Sequence, residues 1–207
     1  NGALPKDKDE EELRCLDAAL VLAAQAGALL MEGAGRVHAS TSKSTATDLV
    51  TEFDAAAEAL VVRGLRARFP DHAILGEEGG AQGAAAARVE WLVDPLDGTV
   101  NFAHGLPFFS VSLGCVIDGE VRAGVVHAPA LGMTFAARRG AGATLGGRRL
   151  QVSQTAELQR ALLSTGFPYD RHTARENNFA QFVRLQRRAG AVRRSGTCPA
   201  DERGVEH

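Results

Sequence analysis

Asp94 and Asp97 stand three residues apart on either side of a proline, in the run Trp91-Leu92-Val93-Asp94-Pro95-Leu96-Asp97-Gly98-Thr99-Val100-Asn101-Phe102. Trp91 to Val93 reads as a short buried strand ending at Asp94, because Pro95 fixes its own φ and has no N–H to give to a sheet ladder. A turn through Leu96 and Asp97 then lets both carboxylates face one point. Two carboxylates that close repel each other unless a cation lies between them, and oxygen-only donors favour a hard ion such as Mg2+. The Leu96 carbonyl could add a third oxygen. Gly98 lets the backbone approach a ligand, while Thr99 and Asn101 bring a hydroxyl and an amide. This is the layout of a metal-phosphate site; an Asp-Pro turn followed by an Asp-Gly turn is the purely structural alternative.

Two more acidic positions are candidates for the same chemistry. Ala73-Ile74-Leu75-Gly76 reads as a strand that ends in Glu77-Glu78-Gly79-Gly80, although adjacent acids before a glycine pair also suit a solvated loop. Asp54 closes the run Asp48-Leu49-Val50-Thr51-Glu52-Phe53-Asp54. Thr51 followed three residues later by an acid resembles a capping box, with Asp54 in the first turn of a helix reaching Phe69. Capping accounts for Asp54 as fully as catalysis does.

The elements that would hold these acids follow from hydrophobic spacing. Helices are expected over about Glu10 to Gly33 and Thr51 to Phe69, then strands around Ala73, Trp91, Phe108 to Ile117, Val121 to His127 and Met133 to Ala137. Asp118-Gly119 is a strong hairpin turn. A strand over Ala161 to Thr165 and a helix over Glu176 to Ala189 complete the reading, and the low-complexity stretch Gly79 to Ala87 reads as a loop beside Glu77. Paired helices followed by antiparallel strands argue an α+β fold rather than a doubly wound parallel sheet.

In this order and at this spacing, DLVTEFD, GEEGG and WLVDPLDGTVNF resemble the inositol monophosphatase family of Mg2+-dependent, lithium-sensitive phosphatases. The stretch after the signature loop and TGFPYD near Gly166 are similar to the family as well, so the resemblance runs from about Leu16 to Thr197. It implies a layered αβαβα sandwich of the inositol monophosphatase and fructose-1,6-bisphosphatase type. It assigns Glu77, Asp94, the Leu96 carbonyl and Asp97 to Mg2+, and Asp54, Thr99 and Glu77 to activation of the attacking water. Asp97, Gly98 and Thr99 would meet the substrate. The implied reaction is hydrolysis of a small phosphate monoester, foremost inositol 1-phosphate. Superfamily alternatives are histidinol phosphate, fructose 1,6-bisphosphate and 3′-phosphoadenosine 5′-phosphate. Lys43 sits where family members often carry a lysine, and a homodimer is implied for a complete fold.

The tail departs from that pattern. Arg193-Arg194-Ser195-Gly196-Thr197 looks like the family's strand-to-helix turn, but Cys198 to His207 is polar and proline-interrupted, with no apolar helical stripe. The family's later Trp-Asp segment, whose aspartate completes a second metal site, has no counterpart. The expectation is a truncated or frameshifted sequence with a metal-site α+β domain over 1–145 and a partial C-terminal α/β domain over 146–207. A catalytically impaired relative that only binds is the corresponding alternative function.

Composition excludes more than it assigns. A net charge of −2 over 207 residues gives no general pull toward nucleic acid, and Arg184, Arg187, Arg188, Arg193 and Arg194 form only a local basic cluster. Three scattered cysteines without CxxC spacing favour a reducing cytoplasm over a disulfide or zinc framework. Ala18 to Met31 is nearly uncharged but shorter than the roughly 20 residues a bilayer requires, so no membrane span is expected. The polar, acidic start NGALPKDKDEEE is not a signal peptide.

Overall fold

Cys15, Ala18, Ala19, Leu22, Ala23, Ala26 and Leu30 recur every three or four positions, and all are buried. That stripe turns one side of helix α1 (Lys6–Ala39) into the core. Helix α2 (Lys43–Arg68) lies against it and contributes Phe53, Ala57, Val61 and Leu65. Glycines admit close approach here: a Cβ on Gly64 would meet Leu22, and one on Gly33 would meet the Phe53 ring. The computed structural model describes residues 6–39, 43–77, 79–84, 87–167, 172–173, 175 and 177–194. Glu78, Pro168 to Asp170 of the TGFPYD run and the tail from Ser195 on lie outside them, as do the side chains of Lys43 and Thr51.

The helices pack on an eight-stranded mixed sheet of order β2-β1-β3-β4-β5-β6-β7-β8. Its strands are β1 (Ala73–Gly76), β2 (Gly80–Gln82), β3 (Val89–Asp97), β4 (Ser110–Ile117), β5 (Glu120–Ala128), β6 (Met133–Arg138), β7 (Gly142–Leu145) and β8 (Arg148–Arg149), with the short helix α3 (Thr99–Ala103) after β3. β1 runs parallel to β3, and the other neighbours are antiparallel. Asp118 and Gly119, both at positive φ, make the β4–β5 hairpin turn as expected. Trp91 is fully buried under the sheet, and its indole N–H donates to His72 Nδ1 at 3.0 Å, which satisfies its polar atom. The chain divides into two compact units, Asn1–Leu150 and Gln151–His207. The second holds a parallel pair, β9 (Leu162–Ser164) with β10 (Ala191–Arg193), and helix α4 (Phe179–Gln186). The architecture is α+β, as the order of elements predicts.

Five local expectations are corrected. α2 begins at Lys43, so Thr51 lies within the helix and no acid occupies its first turn; the capping account of Thr51 and Asp54 falls. No glycine or proline separates Lys43 from Thr51, so nothing stops the helix from extending backward. β3 does not end at Asp94 but runs through Pro95 to Asp97. Part of the glycine-rich stretch after Glu78 pairs with β1 as strand β2. α4 is shorter than Glu176 to Ala189, because Asn178 adopts a left-handed conformation at its start. Finally, Asp9–Ala34 of α1 is long and apolar enough, by length and composition, to cross a bilayer. In this fold its apolar stripe packs on α2 and the sheet.

Candidate active site

The register of β3 on β4 explains how two acids three apart come to share a face. Asp94 pairs with Ser112 and Asp97 with Ser110, so three steps on β3 match two on β4. The extra residue is a bulge, one of the few places where a strand tolerates proline. Ser110 and Ser112 are two apart on one strand and therefore point the same way. Their partners Asp94 and Asp97 do so too, on the face away from the buried Trp91 and Val93. Without the bulge, the odd spacing would send the two carboxylates to opposite faces.

Glu77 joins them through the parallel pairing. Gly76 lies beside Val93, so the next residue on each chain brings Glu77 to Asp94. The Asp94 carboxyl is pushed up to about 8, first by burial and then by the negative charges of Glu77 and Asp97 and a hydrogen bond shared with Glu77. Asp97 is also raised, mainly by burial; the Ser110 hydroxyl, which donates to Asp97 Oδ2 at 3.4 Å, holds it back. Among the described residues, no lysine or arginine forms an ion pair with Glu77, Asp94 or Asp97.

The turn after the bulge supplies the remaining polar groups. Asp94 Oδ1 accepts from the Leu96 N–H at 3.2 Å, and the Thr99 hydroxyl donates to the Leu96 carbonyl at 3.1 Å. Gly98 sits at φ 92, a conformation that glycine adopts freely, and α3 starts immediately after it. Asn101 is turned elsewhere: its Nδ2 donates to the Phe108 carbonyl at 2.7 Å. Asp54 is buried on α2, the helix that packs against both β3 and α3. His104, which sequence position puts just past the loop, is exposed at the end of α3.

The donor set suits a hard cation. Every side chain in the cluster offers oxygen, and Asp94 is pushed up first by burial and then by like charges that a cation would neutralise. Ser112 Oγ, opposite Asp94, is buried without a hydrogen bond, which leaves a further oxygen facing the same region. Among the described residues, no group of three or more His, Cys, Asp or Glu side chains stands close enough as placed to hold a metal ion. The arrangement is instead open, with Glu77 exposed at the strand end and the two aspartates half-buried.

Sequence reasoning missed Ser110, Ser112 and Glu58. Two serines at alternate positions in an otherwise apolar strand were the available signal for the first two. Glu58 had one as well, since four residues after Asp54 it shares that residue's helix face.

The chain is similar to known proteins over most of its length. The inositol monophosphatase family profile matches residues 11–201. An inositol-1-monophosphatase of Synechocystis is 44% identical over 85% of this chain and 61% of its own length. A Nus factor SuhB of Pseudomonas aeruginosa is 42% identical over 90% of this chain and 70% of its own. The solved inositol monophosphatase from Anabaena superposes with a TM-score of 0.77 at 41% identity, over 87% of this chain and 66% of that one. The chain thus spans about six-tenths of the Synechocystis relative's length.

Proposed function

This chain belongs to the inositol monophosphatase family, and from that premise we propose that its acidic cluster serves the Mg2+-dependent hydrolysis of a small polyol phosphate monoester, inositol 1-phosphate foremost. The carrying observation is the grouping of Glu77, Asp94 and Asp97, where burial first and the neighbouring negative charges second raise Asp94 to about 8, with no basic side chain paired to the cluster among the described residues. Glu77, Asp94, Asp97 and the Leu96 carbonyl would hold the ion. When bound, Mg2+ supplies Lewis acidity, an activated water and charge neutralisation at the phosphoryl group.

The chain's own groups divide the remaining work. Thr99 gives its hydrogen to the Leu96 carbonyl, so toward a water its oxygen acts as an acceptor. A water held that way presents a proton to a neighbouring base, and Asp54 and Glu77 are the candidate carboxylates. Gly98, lacking a side chain, leaves the backbone at the start of α3 open to a phosphate oxygen. The Leu96 carbonyl keeps a second lone pair after accepting from Thr99, so it can serve two partners at once.

The test is phosphate release from inositol 1-phosphate as a function of Mg2+, with Asp94→Asn as control. Metal-dependent release that disappears in the variant supports the reading; equal release from both sinks it. A second reading, a binding role without turnover, is favoured by the name Nus factor carried by several relatives. A folded chain that binds metal yet releases no phosphate would move the weight to it.

A further inference from the structure

We propose that Glu58 is a positioning residue for this site: its buried carboxylate binds the Gly79 N–H on one side of Glu77, packs against Gly76 on the other, and so sets how that ligand is presented to the cation. The inference rests on the metal-site reading above. Glu58 is 5% exposed and lies one helical turn beyond Asp54, itself 6% exposed, on the same face of α2. Its Oε1 accepts the Gly79 N–H at 2.7 Å. Gly76 and Gly79, on either side of Glu77, fold close over that carboxylate. A Cβ on Gly76 would come within 2.7 Å of Glu58 Cδ, and one on Gly79 within 2.6 Å of Oε1.

The chemistry favours a positional role. A buried carboxylate is costly unless hydrogen-bonded, and a bond from a backbone N–H to an ionised oxygen is among the stronger ones. Here that interaction ties down the turn after β1. The Glu77 side chain emerges exposed from the same turn toward Asp94 and Asp97. Glu58 thus acts through the backbone and not through the cation. Because Asp54 and Glu58 share one rigid turn of α2, the helix also couples the Glu77 turn to a candidate base.

Direct Mn2+ binding, read from the paramagnetic signal of the free ion, tests this in the whole chain without turnover. Wild type, Asp94→Asn, Glu58→Ala and Glu58→Gln would be titrated side by side. Glu58→Ala should weaken binding about tenfold, the usual scale for losing an outer-shell partner of a ligand. Glu58→Gln keeps an acceptor oxygen for Gly79 and should stay within about twofold of wild type. A purely structural Glu58 would lower the melting temperature of Glu58→Ala and leave its Mn2+ affinity unchanged, which overturns the proposal. Where Glu58→Ala does not fold, Gly79→Ala displaces the same turn while keeping the carboxylate; unchanged affinity there overturns it equally. If wild type and Asp94→Asn bind Mn2+ alike, the metal-site reading itself falls and takes the Glu58 role with it. If only Asp94→Asn is weakened, the site stands and the Glu58 role falls.

Discussion

Two groups of acids occupy opposite ends of one sheet, and they are neutralised in opposite ways. Near the β4–β5 hairpin, Glu12 of α1 is fully buried, yet Arg122 reaches its Oε1 at 3.5 Å and Arg138 its Oε2 at 3.4 Å. Arg138 also pairs with Asp9, and Arg122 with Glu120 at 2.6 Å. At the other end, Glu77, Asp94 and Asp97 crowd together, and no arginine or lysine pairs with them among the described residues. The first group is balanced within the chain and fastens α1 to β5 and β6. The second has no cationic partner among the described residues, which is the imbalance that the proposed cation would offset. The difference separates acids that fasten the fold from acids whose charge is left unbalanced within it, although both groups include carboxylates withdrawn from water.

The sharpest way to break this contrast is Asp94→Asn. It should lower metal-dependent phosphate release by about a hundredfold or more, because a ligand and its charge are lost together. The same change should leave the metal-free fold intact and raise its melting temperature at pH 8, since a crowded negative charge is gone. A melting temperature that falls would place Asp94 with the structural acids.

Glu12→Ala is the counterpart. Two arginines would be left facing a void, and urea unfolding should register a loss of about 3 kcal/mol, at the low end for a broken buried ion pair because both guanidiniums retain some access to water. Phosphate release per folded molecule should be unaffected. Thr99→Ala should lower kcat about tenfold with little change in KM, the signature of a contact made in the transition state. An unchanged kcat would return Thr99 to holding the Leu96 turn.

The smallest expected effect is a pH dependence. Asp94 titrates near 8 in the fold against an ordinary value of 3.8, and Asp97 is raised in the same sense. The metal-free folded state therefore binds more protons than the unfolded chain between about pH 4 and 8. This contribution to stability is complete below pH 4 and is lost as pH rises through 8. The metal runs the other way, because it needs the ionised carboxylate: its binding should strengthen over pH 6 to 8 and release protons. Thermal melting with and without Mg2+ across that range checks both signs. Identical pH profiles for wild type and Asp94→Asn would remove Asp94 as their source.

How much of this was legible in the sequence depends on the kind of constraint. Asp118-Gly119 announced its hairpin, because a two-residue turn with both residues at positive φ has few solutions. The α1 stripe and the strands after Phe108 were readable from periodicity alone. Pro95 misled because a proline stops a regular strand but is at home in a bulge, and only the pairing with Ser110 and Ser112 distinguishes the two. Thr51 misled for a similar reason: capping chemistry is local, whereas the start of α2 reflects the chain that precedes it. At the site, the acids announced themselves by type. Glu58 offered only its helical spacing from Asp54, since its contacts are with Gly76 and Gly79, about twenty residues further along the chain.

The bulge in β3 also has a bearing on chain length. If one residue between Asp94 and Asp97 were deleted, the strand could pair without interruption against β4, and both acids would still emerge on the same side. What would vanish is the spare backbone oxygen at the Leu96 position, released from the ladder only because one residue too many is present. Such a shortened chain would gain regular pairing and lose a donor, so the irregularity trades cohesion of the sheet for an oxygen that no substitution can supply.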